Sequence, residues 1–350
     1  MGRLVDRRAI RSASVVAAIV VGGAAALVTR ATAQQNQNVN AVQMDVQQVS
    51  GNVYMVAGAE GNGNTTLFTG PEGVLVVDTQ AAPLSGKILD VVRTLTDQPI
   101  RWIVNTHMHG DHVGGNEPLA KAGRTRAGGN VVGDIGQAAT STARIIAHEN
   151  ALNRLVMADP PVPPAALPTD TFFNEQRDML FNGEAVQMFH QPKAHTDGDI
   201  IVLFRHADVL STGDLFTTVM YPFIDEANGG TIDGYIKALN NIIAITVPSN
   251  VNEGGTMVIP GHGRLSDEQD VIEYRDMVTI VRDRIKEYVK RGMTIEQVKA
   301  KKPTLDFDAR YGSDTGFWTT SKFIEVIYRQ MAAANPPPKG TKPAPRKGNE

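Results

Sequence analysis

Four side chains that commonly bind metal ions fall within six consecutive residues, and this cluster constrains the chain more than any other feature. His107, His109, Asp111 and His112 stand in THMHGDHVGGN (106–116), directly after the apolar segment RWIVNT (101–106). Imidazole and carboxylate groups on a rigid frame are typical ligands of zinc and related ions. Because a polar loop would rarely gather so many such groups at a strand end by chance, the sequence predicts a metal site here.

The spacing within this cluster favours two metal ions. His107 and His109 are two residues apart, so in an extended chain they project to the same side. Asp111 and His112 follow where the chain is predicted to turn into a helix, and they should therefore point elsewhere. One short segment can then supply ligands to two neighbouring ions.

Three more candidate ligands lie where other apolar segments end. They are His195 in KAHTDGD, Asp214 in STGDLF and His262 in PGHG, and each has a glycine within three residues. Functional residues often sit on loops that a rigid scaffold positions. We therefore expect these three side chains to join the first four on one rim of the fold.

The rest of the chain reads as two series of strands, each followed by helices. Strand-like segments are 52–58, 65–70, 74–79, 101–106 and 130–133, then 184–191, 199–205, 207–214 and 256–263. Helical spacing is found around Asp90 and over 142–158, 229–245 and 267–291, and in two segments of the C-terminal region, TIEQVKAK and SKFIEVIYRQMAAA. This order predicts an α+β protein in which two sheets pack together with helices outside.

The ligand pattern, in this order along the chain, resembles the metallo-β-lactamase fold superfamily over residues 50–265. The resemblance implies a four-layer αββα sandwich with the metal site between the sheet edges. It also implies that His107, His109 and His195 hold one ion, that Asp111, His112 and His262 hold a second, and that Asp214 bridges both. Asp111 is expected to serve in catalysis as well. Asp78, at the end of VLVVDT, resembles the family's aspartate that orients a ligand.

The expected activity follows from that resemblance. Two divalent ions, zinc first and iron or manganese as alternatives, lower the pKa of water from about 15.7 toward about 7. The resemblance implies that a hydroxide held by these ions would attack the carbonyl of a small ester, thioester, lactone or lactam. A redox-linked or metal-binding accessory protein on the same fold stays open as the alternative.

The resemblance also bears on the substrate. The secreted β-lactamases with the most similar histidine loop usually have a cysteine where Asp214 stands, and a lysine where Thr217 stands. Both departures argue against efficient β-lactam hydrolysis. A bridging aspartate resembles glyoxalase II-type thioesterases and lactonases instead.

The N-terminus predicts export to the periplasm or the medium. Residues 1–33 contain a basic start, an apolar run over 13–28 and Ala31-Thr32-Ala33, which is a small-x-small cleavage site. Whether export uses the general or the twin-arginine route stays open. The chain has no cysteine, which suits an oxidising compartment. After removal of the signal, no stable membrane insertion is expected.

The predicted organisation is one hydrolase domain over 51–334, with a core at 51–265 and C-terminal helices at 266–334. A polar leader (34–50) precedes it, and a Pro- and Lys-rich disordered tail (335–350) follows. The net charge of −3 argues against a nucleic-acid partner. A small carbonyl compound is the expected partner, and the sequence does not indicate the oligomeric state.

Other polar residues are interpreted as structural. His148 is placed inside the predicted helix 142–158, His190 at a strand end and His206 in a hairpin turn. Tyr221 is expected to pack in the core, and GAEGNGN (58–64) to form a turn that could border the site.

Overall fold

A computed structural model describes residues 42–58, 62–125, 141–251 and 254–334. The predicted signal peptide (1–33), the tail (335–350) and the strand predicted at 130–133 lie outside the described residues, as do residues 34–41 of the predicted leader.

Among these described residues, the first sheet has seven strands in sequence order. They are β1 (Asp45–Ser50), β2 (Val53–Ala57), β3 (Thr65–Gly70), β4 (Gly73–Val77), β5 (Ile100–Val104), β6 (Arg144–His148) and β7 (Asp170–Phe172). Strands β1 to β4 pair antiparallel, whereas β4 to β7 pair parallel.

Within the same described ranges, the second sheet has five strands in the order β12-β11-β10-β9-β8. Their bounds are β8 (Gln176–Phe181), β9 (Glu184–His190), β10 (Ile200–Phe204), β11 (Val209–Ser211) and β12 (Met257–Ile259). Only β11 and β12 pair parallel. The parallel strands matter for the site because their carboxyl ends open onto one edge.

The α-helices cover the outer faces of the two sheets. They are α1 (Ser85–Leu95), α2 (Gly110–Val113), α3 (Asn116–Ala122), α4 (Glu149–Val156), α5 (Ile232–Ile245), α6 (Glu268–Lys290), α7 (Ile295–Ala300), α8 (Asp308–Tyr311) and α9 (Thr320–Ala334). Helices α1 and α3 pack on the first sheet, and α5, α6 and α9 on the second. The predicted αββα sandwich is confirmed.

Strand alternation explains how one sheet serves two cores. In β10, Ile200, Val202 and Phe204 join the core between the two sheets, whereas Ile201 faces the helices of the second layer. Successive side chains of a strand point to opposite faces. A strand that is buried on both faces therefore reads as the continuous apolar run seen here.

Two of the secondary-structure predictions are corrected by the structure. The helix predicted over 142–158 is wrong in its first half, where β6 continues the first sheet and α4 begins only at Glu149. The sheet also begins inside the segment predicted as a polar leader, because Asp45–Ser50 forms β1. In the described part of the chain, no helix is both long and apolar enough to cross a membrane.

Candidate metal centre

The seven predicted ligands converge at one edge of the sandwich. His107 and His109 follow β5, and Asp111 and His112 lie on α2. His195 lies between β9 and β10, while Asp214 and His262 follow β11 and β12. The backbone N–H of Ile200 donates to the carbonyl of Thr106 (2.8 Å), which ties the two sheets together beside the cluster.

The first group contains three imidazoles, those of His107, His109 and His195, and the carboxylate of Asp214. One ligand atom from each residue lies within 4.8 Å of every other. All four side chains are buried. Ligands about 2.0–2.2 Å from a common ion are separated by at most about 4.4 Å, so this group is close in size to a single metal position.

The second group contains Asp111, His112 and His262, whose ligand atoms also lie within 4.8 Å of one another. Nε2 of His262 is 3.3 Å from Oδ2 of Asp111, and Nε2 of His112 is 3.8 Å from the same oxygen. The membership of both groups is the one that the family resemblance implies.

Asp214 lies between the groups with one oxygen toward each. Its Oδ2 is 3.9 Å from Nε2 of His107 and 3.6 Å from Nε2 of His195. Its Oδ1 is 3.1 Å from Nε2 of His112 and 3.2 Å from Nε2 of His262. This is the arrangement that a carboxylate needs in order to bridge two cations.

Asp78 orients histidines of both groups. Its Oδ2 accepts from Nδ1 of His112 (2.7 Å) and from the hydroxyl of Thr106 (2.6 Å), and its Oδ1 accepts from the backbone N–H of Thr106 (2.8 Å). The Thr106 hydroxyl thereby uses its only proton, so toward Nδ1 of His107 (3.1 Å) it must accept. Both histidines then carry a proton on Nδ1, which leaves Nε2 as the nitrogen that can bind a metal ion in the cluster.

Asp225 orients His109 in the same way, and the sequence analysis did not single it out. Its Oδ2 lies 2.8 Å from Nε2 of His109, which leaves Nδ1 of His109 facing Nε2 of His195 at 2.9 Å. Nδ1 of His195 donates to the carbonyl of Phe223 (2.6 Å). No local pattern marks Asp225, because it lies 116 residues from its partner.

Close backbone packing fixes the positions of Asp214 and His262. A Cβ atom on Gly261 would lie 2.2 Å from Oδ1 of Asp214, and Gly213 combines a φ of +52° with contact to the Thr106 side chain. Only glycine meets both requirements without strain.

Asn64 holds the His262 loop by donating to the carbonyls of Pro260 (2.9 Å) and Gly263 (3.0 Å). Thr217 supports the same loop, because its buried hydroxyl donates to the carbonyl of His262 (3.2 Å).

The chemistry of the donor atoms fits a metal ion. Within the described residues, Nε2 of His107 is buried without a hydrogen-bond partner, and Nε2 of His112 and of His262 face Oδ1 of Asp214 without the geometry of a hydrogen bond. A buried polar atom without a partner costs about 1–3 kcal/mol. Several such atoms aimed into one cluster are explained by cations that complete their coordination.

Charges in the metal-free cluster differ between the groups. Burial and the neighbouring His112 lower the pKa of His107, and burial and His109 lower that of His195. Burial would also lower the pKa of His262, but Asp214 and Asp111 raise it to about 9. Burial likewise opposes protonation of His112, yet Asp214 and Asp78 raise its pKa. The second group therefore holds protons that a metal ion must displace.

We predict that metal binding releases more protons from the second group than from the first. Filling it near pH 7 should release up to two protons, from His112 and His262, and its apparent affinity should rise roughly tenfold per pH unit for each proton displaced. The first group, where the pKa values of His107 and His195 are lowered, should release few. Stepwise metal addition in weakly buffered indicator dye measures this, and no proton release at either step would contradict it.

The raised pKa of His262 also predicts how the stability of the metal-free protein depends on pH. The pKa of His262 is higher in the folded, metal-free protein than its ordinary 6.5. Its contribution to stability is therefore complete below pH 6.5 and disappears as the pH rises through about 9. We expect the Tm of the chelated protein to fall over this window, and metal loading to remove most of the fall. A Tm independent of pH between 6.5 and 9 would count against this charge assignment.

The remaining predicted polar residues lie outside both groups. His148 ends β6 and accepts from the N–H of Asn150 at the start of α4, so its placement inside a helix was wrong. Its ring stacks on His190 at 3.6 Å, and His206 is exposed.

Tyr221 is buried and donates to Asp308 (2.8 Å), which confirms its packing role. Within 58–64, a Cβ on Gly63 would lie 2.8 Å from the His112 ring, so the described end of this segment borders the site.

A comparison with models of known protein families finds a match that includes both groups of candidate metal ligands. The family model described as the metallo-beta-lactamase superfamily matches residues 58–263, which is more than half of the chain. All seven residues of the two groups lie inside the match.

Individual proteins that resemble the chain are more distant. It is 24% identical over 262 residues to the linear primary-alkylsulfatase of Pseudomonas sp. (strain ATCC 19151), an alignment that covers 67% of this chain and 49% of that protein. The chain thus spans about half the length of this curated relative.

Solved structures support the fold. A metallo-beta-lactamase from Pontibacter korlensis superposes with a TM-score of 0.51 at 17% identity, covering 68% of this chain and 99% of that one. The stereoselective inverting sec-alkylsulfatase Pisa1 from Pseudomonas sp. gives a TM-score of 0.59 at 14% identity, covering 87% and 52%.

Proposed function

The chain belongs to the metallo-beta-lactamase superfamily of hydrolases, and we propose that it binds two divalent metal ions and hydrolyses an ester bond in a small substrate. One observation carries the proposal: two groups of buried ligand atoms share Asp214, which directs one oxygen to each. Zinc is the first candidate, and iron or manganese are alternatives because Asp111 and Asp214 contribute oxygen ligands.

Bound divalent metals would supply Lewis acidity and water activation near neutral pH. The protein's part is to hold the ligands in one arrangement. Asp78 and Asp225 fix the ring orientations and proton positions of the histidines, and the glycines next to Asp214 allow the strand ends to approach. Asp111, at the start of α2, adds a buried carboxylate on the side of the second group.

The first candidate substrate class is a carbonyl compound, an ester, thioester or lactone. Its support is the ligand set with aspartate at position 214, together with a threonine at position 217. Threonine carries no positive charge, so position 217 offers no fixed cation to a substrate carboxylate. Its buried hydroxyl instead donates to the carbonyl of His262. Neutral substrates should therefore be preferred over anionic β-lactams.

A second candidate class is an alkyl sulfate ester. It is favoured by the similarity to the primary alkylsulfatase, which extends over 262 residues. Because the chain spans only about half of that relative, the sulfate activity is a proposal to be tested beside the first.

The deciding experiment is a substrate panel with the purified chain loaded separately with zinc, iron or manganese. It includes a neutral ester, a thioester, a lactone, a β-lactam and a primary alkyl sulfate. We expect turnover of at least one ester class, loss on chelation and recovery on adding metal. The exposed His206, replaced by alanine, is the matched control for histidine removal, with His195→Ala as the inactive counterpart. Two bound ions without turnover of any class would favour the metal-binding accessory protein instead.

We also propose that the mature protein works outside the cytoplasm. The basic and apolar pattern of residues 1–33 and the absence of cysteine support this. The prediction is an N-terminus near Gln34 in protein isolated from its own cells. Mass spectrometry of the intact chain tests it, and a cytoplasmic protein that keeps Met1 would contradict it.

A further inference from the structure

An aromatic ring lies directly against the first metal group. Phe223 stacks on the His109 ring, with centroids 5.6 Å apart and planes at 28°, and meets the His195 ring edge-on at 5.5 Å. Phe223 is half-buried rather than fully enclosed. Anything that reaches the metal ligands from this side meets an apolar surface.

Two further aromatic side chains extend this surface. Phe317 and Trp318 contact Phe223, with centroid distances of 5.4 and 4.8 Å, and both are half-buried. They stand between α8 and α9, beyond the residues that match the superfamily. The C-terminal region of this chain therefore contributes to the surroundings of the site.

The accessible part of Trp318 is apolar. Its indole N–H is buried and has no hydrogen-bond partner among the described residues. A partly exposed tryptophan ordinarily directs its N–H to water or to an acceptor. Here the indole N–H reaches neither, so whatever part of the ring is accessible consists of carbon atoms.

The backbone that carries these rings is held in place. The N–H of Thr320 donates to the carbonyl of Ser313 (2.9 Å), and the N–H of Ser313 donates to the Thr320 hydroxyl (3.0 Å). Nζ of Lys322 donates to the carbonyl of Phe317 (2.5 Å). These contacts close the loop onto the start of α9, so the rings are arranged before any ligand arrives, which lowers the entropy lost on binding.

We infer that Phe223, Phe317 and Trp318 form an apolar wall that binds the alkyl or aryl part of the substrate while its ester group lies at the metal site. This inference rests on the proposed function and specifies it: the preferred substrates carry a hydrocarbon group of several carbons. Burial of each methylene against such a surface corresponds to about fourfold in kcat/KM.

The first test varies chain length. Ethyl esters with acyl groups of two, four and six carbons are compared by pH-stat, because the ethanol that they release is too small to occupy the wall. The n-alkyl sulfates of the same lengths vary the alkyl group directly. We expect kcat/KM to rise with length in the wild type. The six-to-two-carbon ratio should fall at least about tenfold in Trp318→Ala, and less in Trp318→Phe. Phe173→Ala, which removes an aromatic ring that is 76% exposed elsewhere, is the matched control and should keep the ratio.

A second test needs no turnover. The chain has two tryptophans, so Trp102→Phe leaves Trp318 as the only indole. Hexanoate should change its fluorescence at a concentration at least about tenfold lower than acetate, given four added methylenes. Turnover of short and long substrates at equal kcat/KM would overturn the wall and leave the proposed function standing. A hexanoate response without turnover of either class would support the wall and contradict the proposed function. Failure of both measurements would overturn the inference.

Discussion

An Asp214→Ala variant is expected to keep about one metal ion per chain and to lose at least about 100-fold in kcat/KM, because even residues that only orient ligands contribute about 10–100-fold. Asp214 lies between the groups, with Oδ1 near His112 and His262 and Oδ2 near His107 and His195. Two cations held in one buried cavity repel each other strongly. Without the carboxylate between them, filling one group disfavours filling the other.

An Asp214→Asn variant separates the charge from the shape. The amide has nearly the same size, yet only its carbonyl oxygen can face a cation, and its NH₂ group must point at the other group. We therefore expect its metal content and activity to resemble those of Asp214→Ala. If only the volume of the side chain mattered, asparagine would behave like the wild type.

Metal content by mass spectrometry and kcat/KM on the best substrate of the panel should be measured together. His206→Ala provides the reference, since this histidine is exposed and belongs to neither group. A variant without the Asp214 carboxylate that still holds two ions and stays within about threefold of wild-type activity would refute a bridging role.

The candidate metal ligands that the structure brings together could be predicted from the sequence, because ligand residues form a recognisable local pattern. Histidine and aspartate stood where apolar strands end, and the open edge of the sandwich gathers those ends. The residues that orient the ligands leave no such pattern. Asp225 contacts His109 from 116 positions away, and the Phe223 carbonyl that accepts from His195 is a backbone atom present in every residue.

The secondary-structure errors have a common physical cause. Three strands absent from the sequence-based prediction, β1, β7 and β8, lie at sheet edges. Edge strands are exposed and carry polar residues, as in QRDMLF of β8, so they lack the apolar pattern of central strands. The error over 142–158 is different. Its start, Arg144–His148, reads as helix locally, but four of these five residues are buried between β5 and β7, and pairing there decides the strand.

An Asp78→Asn variant should weaken both metal sites by about 10–100-fold each while leaving the fold intact. Asp78 is buried, and it accepts three hydrogen bonds through its two oxygens. An asparagine can accept with only one oxygen. Because the backbone N–H of Thr106 needs that oxygen, the NH₂ group must face the Thr106 hydroxyl and Nδ1 of His112.

The NH₂ group of the asparagine moves the protons of two histidine ligands from Nδ1 to Nε2, the nitrogen that should bind the metal. Facing a donor, Nδ1 of His112 has to accept, so its proton moves to Nε2, the atom that points at Asp214. The Thr106 hydroxyl, now receiving the amide N–H, is free to donate to Nδ1 of His107 and to displace the proton of His107 to Nε2 as well. One substitution thus disables a ligand in each group. Asparagine also tolerates the left-handed backbone of this position (φ 59°), where alanine would add strain.

Asp225→Asn is the matched comparison, because it makes the same chemical change beside His109 alone. It should weaken only the first group, because the uncharged amide oxygen that replaces Oδ2 beside His109 and Asn228 holds the His109 ring less firmly than a carboxylate does. Competition with a chromophoric chelator resolves the two affinities, and circular dichroism verifies that each variant is folded. Two weakened sites in Asp78→Asn and one in Asp225→Asn would show that carboxylates set the proton positions of the ligands. If Asp78→Asn weakened only one metal site, the Thr106 hydroxyl would not link Asp78 to His107. If neither substitution changed a metal affinity, tautomer control at this site would be excluded.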